Sequence, residues 1–262
     1  MKNILVPVSS VQNAVTNLRY AVNLASINGA NVYLVNLYKE FSRVGTLTKV
    51  NQLIIEDSEE LLKRVLEEVD TKGVSVAAKS IKGNAYEGIV RISEKLNIDL
   101  LITSPQSIEI ADEVYLGKIT GKLVKQTEIP VLIIPPGYIF RKAETILLSF
   151  KGGILKSDEV LTPLKEISRS FSAKVNLLQV VTPDVAKDDA IVDPRLLEFN
   201  KQVQITKNAT VYQGILEHFQ SNNPDMLCVF RRKRGVFEKI WEKNTILKKD
   251  FHTTKPLLVL KA

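Results

Sequence analysis

One series of segments is written twice along this chain. "NILVPV" (3–8) is answered by "TILLSF" (145–150), and "ANVYLVNLY" (30–38) by "AKVNLLQVV" (173–181). "AYEGIVRISEKLNIDLLIT" (85–103) is answered by "VYQGILEHFQSNNPDMLCV" (211–229), and "TEIPVLII" (127–134) by "TTKPLLVL" (253–260). Order and approximate spacing match over the whole length, which identifies a tandem duplication. Whatever fold the first copy takes, the second must take a version of it.

The first copy alternates strand-like and helix-like stretches. Residues 11–27 place Val11, Val15, Leu18, Val22 and Ala25 three to four apart, on one helical face. Amphipathic patterns predict further helices over 51–70, 84–97 and 117–127. Short apolar runs predict strands over 3–8, 30–38, 74–81, 99–103 and 130–135. Strands alternating with helices imply a parallel sheet covered on both faces. "PPGYIFRKAE" (135–144) reads as a linker, punctuated by Pro135, Pro136 and Gly137. We therefore expect domains at 1–138 and 139–262. In the second copy, 183–202 holds Pro183, Pro194 and acidic turn formers where the first has a long helix, so a partly irregular loop is expected.

With 262 residues and 45% hydrophobic content, the chain can bury two cores. No apolar run approaches the roughly 20 residues that span a bilayer. The opening "MKNILVPVSS" is read as lacking an export signal. The single cysteine, Cys228 in "DMLCVF", is expected as a buried thiol. Together these predict a cytoplasmic protein with no membrane partner. The net charge of +7 is uneven: residues 1–140 hold 15 basic and 15 acidic side chains, and residues 141–262 hold 21 and 14. The excess concentrates in 231–249, with eight basic and two acidic residues, beginning Arg231, Arg232, Lys233, Arg234.

The opening "NILVPVSS", the stretch "IKGNAYEGIVRISEKLNIDLLIT", the spacing of Ser104, Ser107 and Gly117, and the ending "TEIPVLIIP" echoed by "TTKPLLVLKA" resemble the universal stress protein family. The resemblance covers nearly the whole chain, twice. It implies two flavodoxin-like, Rossmann-like domains in tandem, each a doubly wound parallel sheet of order 3-2-1-4-5. Ligands of such sheets lie beyond the strands' carboxyl ends, at the switch point between strands 1 and 4. Nucleotide-binding members use an aspartate after strand 1 and Gly-x2-Gly-x9-Gly-(Ser/Thr) after strand 4. The glycines let backbone amides approach phosphates.

Carried onto this chain, the aspartate falls on Ser9 and the first two glycines on Ser104 and Ser107. Gly117 is kept, the hydroxyl residue becomes Lys118, and the strand-2 tip beside adenine falls near Leu37. Pro105 restricts Ser104 to extended backbone, and Glu109, Asp112 and Glu113 place like charge where a triphosphate would lie. The second copy keeps no glycine triad: Lys243 and Asn244 stand opposite Gly117 and Lys118. The expectation is a non-catalytic stress-response and regulatory binding protein without a bound cofactor. Two alternatives stay open: an ATP- or ADP-binding switch or slow ATPase at the first domain, and a polyanion or nucleic-acid surface at the basic cluster. Nucleic acid is not the favoured partner, and Phe237 and Trp241 are expected to bury rather than stack on bases. The family also implies pairing through fifth strands, here "PVLIIP" and "PLLVLK" within one chain, giving an intramolecular pseudo-dimer that could dimerise again.

Other motifs are read as structural. "KGG" (151–153) suits a tight turn better than a phosphate nest. His218 and His252 lack ligands at metal spacing. Asp188, Asp189 and Asp193 are read as a solvated turn rather than a cation site.

Overall fold

The computed structural model describes residues 1–40, 48–105, 118–152, 154–183, 191–231 and 254–262. The described residues through Phe140 form one compact unit and those from Arg141 a second.

In the first unit the chain runs β1 (Asn3–Val8), α1 (Val11–Asn28), β2 (Asn31–Tyr38), α2 (Thr48–Glu67) and β3 (Val76–Lys82). It continues through α3 (Ala85–Lys95), β4 (Leu100–Thr103), α4 (Lys118–Gln126) and β5 (Val131–Ile133). All neighbouring strands are parallel, in the order β3-β2-β1-β4-β5. The order reverses between β1 and β4. The central strands are apolar on both faces, as burial between two helix layers requires: Ile4, Leu5, Val6, Leu100, Leu101 and Ile102 are fully buried.

Helix α1 covers one face with Val15, Leu18, Tyr20, Val22 and Leu24. It stops at Gly29, whose φ of 66° and N–H to the Ala25 carbonyl make a left-handed cap that glycine adopts without a Cβ clash. Tyr20 is 1% exposed, and the rings of Phe140 and Tyr138 pack on it at 4.9 and 6.2 Å. Burial holds its phenol far above the ordinary tyrosine range. The stretch read as a linker thus contributes two aromatic rings to the first core.

The second unit runs β6 (Thr145–Phe150), α5 (Thr162–Phe171), β7 (Lys174–Val181), β8 (Val203–Lys207), α6 (Val211–Asn222), β9 (Met226–Arg231) and β10 (Leu257–Lys261). Its strands are also parallel, ordered β8-β7-β6-β9-β10. This is the first unit's order repeated. Cys228 lies in β9, fully buried, and desolvation pushes its thiol pKa up.

Both units tie the start of the first strand to the start of the fourth with one carboxylate. Asp99 accepts from the backbone N–H groups of Lys2 (2.6 Å) and Asn3 (3.0 Å). Asp225 accepts from those of Glu144 (3.0 Å) and Thr145 (3.1 Å). Burial raises the Asp225 pKa, and the Thr145 and Glu144 amides with Lys255 outweigh it, so the net shift is downward.

The place of α2 is taken in the second unit by the stretch 191–200, with a short 3-10 turn at Pro194–Glu198. Its anchor is Asp193, which is 1% exposed. Its carboxylate accepts from Leu155 N (2.7 Å), Arg195 N (3.0 Å), Arg195 Nε (2.9 Å) and Arg195 Nη2 (2.7 Å). Arg195 also donates to Asp158 (2.9 Å) and to the Leu155 carbonyl (2.6 Å). The solvated-turn reading of Asp193 is therefore corrected: its neighbours satisfy it inside the fold. Asp188 and Asp189 lie outside the described residues.

The hydrogen bonds from Arg195 lead in holding the Asp193 carboxyl well below the usual carboxylate range. A depressed folded-state pKa adds stability that is full above the unfolded value, about 3.9, and is lost as pH falls towards the folded value. Asp193→Asn is expected to cost about 2–3 kcal/mol at neutral pH, by loss of the charge-assisted bonds to Arg195. Urea unfolding of both proteins between about pH 7 and pH 3 should show the gap closing below about pH 4.

Candidate functional site

The carboxyl ends of β1 and β4 meet at the switch point of the first unit, where ligands of doubly wound sheets sit. Ser9 is exposed just past β1, and Ser10 is the N-cap of α1 without a side-chain capping bond. Ser104, by contrast, is 3% exposed. Its hydroxyl donates to Asn17 Oδ1 of α1 at 2.8 Å, and its carbonyl accepts from Thr120 Oγ1 of α4 at 3.0 Å. Thr103 and Thr120 hydroxyls lie 3.2 Å apart. Asn17 and Thr120 are 2% and 1% exposed. The exit of β4 is thus bonded to both α1 and α4 inside the protein, with the Ser104 hydroxyl directed to the core.

A second polar group lies beside it. Asn36 in β2 donates to the Val8 carbonyl at the end of β1 (2.9 Å). Ser58 of α2 lies 2.6 Å from Asn36 Oδ1 and 2.7 Å from Ser80 Oγ. The second unit repeats the first of these contacts: Gln179 donates to the Lys151 carbonyl past β6 (3.2 Å).

Leu37 is half-buried and packs on α3 at Gly88, where an added Cβ would overlap its Cδ2 atom. Gly214 of α6 fits against Val180 in the same way, at 2.7 Å from the Cγ1 atom. A helix glycine in each copy lets the helix backbone approach the second strand. Lys82, at the end of β3, pairs with Glu40, so charge at this corner is balanced.

Of the six predicted site residues, the structure places Ser9 and Ser104 at the two strand ends of the switch point and Leu37 on the α3 side of β2. Ser107 and Gly117 lie outside the described residues, as does the side chain of Lys118, which opens α4. Glu109, Asp112, Glu113, Gly153, Arg232, Lys233, Arg234, Phe237, Trp241, Lys243, Asn244 and His252 also lie outside them. Among the described residues no group of three His, Cys, Asp or Glu side chains could hold a metal ion. No described helix is long and apolar enough to cross a membrane.

Sequence reasoning missed Asn17, Asn36 and Thr120. Asn17 stands between Thr16 and Leu18 in the buried stripe of α1, where an apolar residue is the norm. A polar residue there needs a partner. Asn36 and Gln179 occupy matching places in "ANVYLVNLY" and "AKVNLLQVV", a signal available by comparing the copies.

A parallel α/β sheet in two like copies, each with its switch point at the first and fourth strands, is the architecture of Rossmann-like stress-protein domains. The family model described as "Universal stress protein family" matches residues 1–135. The chain belongs to the universal stress protein family. It is 23% identical over 138 residues to universal stress protein MJ0531 of Methanocaldococcus jannaschii, covering 51% of this chain and 81% of that protein. It is 24% identical over 152 residues to universal stress protein MJ0577 of the same organism, covering 51% and 94%. A universal stress protein structure from Archaeoglobus fulgidus matches with a TM-score of 0.72 at 16% identity, covering 99% of this chain and 96% of that one. That likeness extends the fold assignment across both copies.

Removing the Ser104 hydroxyl leaves the buried Asn17 oxygen without its donor. Ser104→Ala is expected to destabilise the chain by about 1–3 kcal/mol. Ser9→Ala, at an exposed position, should stay within about 0.5 kcal/mol. Denaturant titration of the two variants checks the contrast.

Proposed function

We propose that this chain is a non-catalytic member of its family, with a stress-response and regulatory role exercised through binding surfaces. The observation that carries the reading is the Ser104 hydroxyl bonded to Asn17 within the core. Where a nucleotide-binding member presents a glycine amide to phosphate, this residue has its side chain committed inward. Ser9 offers no carboxylate, and Leu37 is committed to packing on Gly88. A cytoplasmic setting fits the single buried thiol.

We further propose that the copies, taken as domains 1–138 and 139–262, pair through β5 and β10. Each ends its own strand order. The other end strands, β3 and β8, carry Lys79, Lys82 and Lys207, charges of the kind that protect an open edge. β5 reads Val-Leu-Ile and β10 Leu-Leu-Val-Leu-Lys, so both lack a charge along their cores.

Titration calorimetry with ATP and ADP in the presence of magnesium is expected to find no micromolar site. One such site per chain would overturn the reading in favour of a nucleotide switch or slow ATPase. Combining Ser9→Asp, Ser104→Gly, Ser107→Gly and Lys118→Ser is expected to raise ATP affinity less than tenfold, about 1.4 kcal/mol. The Ser104 change also breaks the bond to Asn17, so the gain in backbone freedom comes with a loosened β4 exit.

The pairing has its own test. A fragment of residues 1–140, cut to retain the Tyr138 and Phe140 rings on Tyr20, should self-associate through β5 at micromolar concentration in sedimentation. A stable monomer would refute pairing at that edge.

A further inference from the structure

The two sheets differ at the end strand that lies away from the switch point. In the first unit Ser80 of β3 is the register partner of Asn36, and in the second Ile205 of β8 is the register partner of Gln179. Asn36 and Gln179 hold matching places in the two copies, so Ser80 and Ile205 do as well. Register partners in a parallel sheet put their side chains on one face. Helix α2 lies over that face of the first sheet: Ser58 is 5% exposed, with its hydroxyl 2.6 Å from Asn36 Oδ1 and 2.7 Å from Ser80 Oγ. At the same place on the second sheet Ile205 is 63% exposed. The residue under the helix is a serine and its counterpart in the open is an isoleucine, the reverse of what water would select.

The stretch that takes the place of α2 leaves this face open. Beyond the Asp193 anchor its bonds reach α5 and β7: Glu198 pairs with Lys165 at 2.8 Å, and Asn200 donates to the Val175 carbonyl at 3.2 Å. Within it Leu196 is buried, whereas Leu197 is 39% exposed. A lone apolar residue on a surface is ordinary. Ile205, however, stands on a sheet face that the other copy covers with a 20-residue helix. Lys201, two residues before β8, and Lys207, its last residue, are exposed and make no ion pair among the described residues.

We propose that this open face of β7 and β8 docks an amphipathic helix of a partner protein, apolar on its inner face and acidic elsewhere, in the place that α2 holds on the first sheet. The first copy provides the geometry: α2 sets Leu62 and Val65 inward and exposes Glu56, Asp57, Glu59 and Glu60. Docking of a helix by its apolar stripe is a general mode of recognition. Ile205 selects an apolar side chain at the point where α2 has Ser58, and Lys201 and Lys207 select acidic flanks. Lys207 also keeps the β8 edge from pairing as a strand, so the face rather than the edge is offered. The inference gives the binding role proposed above a partner class and rests on that reading. Its test is separate from the nucleotide titration, so either can fail alone.

The probe is a fluorescent peptide with the sequence of residues 48–70, which carries seven acidic and three basic side chains, made in its native form and with Ser58→Leu. Titrated against the full chain and followed by anisotropy, the Ser58→Leu peptide should bind once per chain and at least threefold more tightly than the native peptide. Ile205→Asp in the chain should weaken that binding at least tenfold. Ile205→Thr keeps a β-branched residue in the strand, should weaken it at least threefold, and serves if the aspartate unfolds the chain. Lys201→Glu with Lys207→Glu should also weaken it at least threefold. Ile139→Asp, at a position 86% exposed in the first unit, should change it less than twofold. Circular dichroism checks that each variant is folded. No saturable binding of either peptide up to about 1 mM, or equal binding by the Ile205→Asp and Ile139→Asp chains, would overturn the proposal. So would self-association in sedimentation that Ile205→Asp abolishes, which makes a second copy the occupant. Binding that emerges only when residues 184–190 are replaced by glycine and serine would overturn it as well, by making the chain's own segment the occupant.

Discussion

Each copy of this fold depends on the contact between its first and fourth strands. There the strand order reverses, and sequence-distant segments must find each other before a parallel sheet can close. The protein reinforces the contact at its amino end with a carboxylate, Asp99 in one copy and Asp225 in the other, each receiving two backbone N–H groups of the incoming first strand. Those amides precede the ladder and would otherwise need water or another partner. In the first copy a further bond at the opposite end, Ser104 to Asn17, joins the fourth strand to the helix that follows the first. The switch point is thus fastened at both ends by side chains.

The duplication and the strand–helix alternation were legible because they rest on long-range repetition and on period, which survive substitution. The helix over 11–27 and the strand over 99–103 are found as Val11–Asn28 and Leu100–Thr103. The irregular stretch in the second copy was legible from Pro183, Pro194 and the acidic turn formers, and the helical piece among its described residues is a short 3-10 turn. The Asp193 anchor was not legible. A carboxylate in a polar stretch looks the same in sequence whether it meets water or an arginine two residues on. The strand over 203–207 carries too weak an apolar pattern to stand out, because an end strand needs only one covered face.

The candidate site was legible in position more than in chemistry. Motif spacing located Ser9 and Ser104 at the strand ends, but it gave no sign that one hydroxyl faces out and the other in. That difference is set by Asn17, 87 residues before Ser104. Pairing between distant polar residues leaves no local trace. The Leu37–Gly88 contact is of the same kind: the glycine in "AYEGIV" looked like part of a helix pattern, and its use emerges only when the helix is laid on β2.

The aspartates at the amino edge carry a consequence for how the two halves can diverge. Both copies keep the same fastening there, while the opposite edge differs between them: the buried Ser104–Asn17 bond belongs to the first copy, and Phe230 stands at the place matching Ser104 in the second. The fastening common to both copies sits at the amino ends of the strands. A change at the carboxyl ends leaves that shared fastening in place, so a duplicated gene of this design can let its halves diverge there while both still close the same sheet.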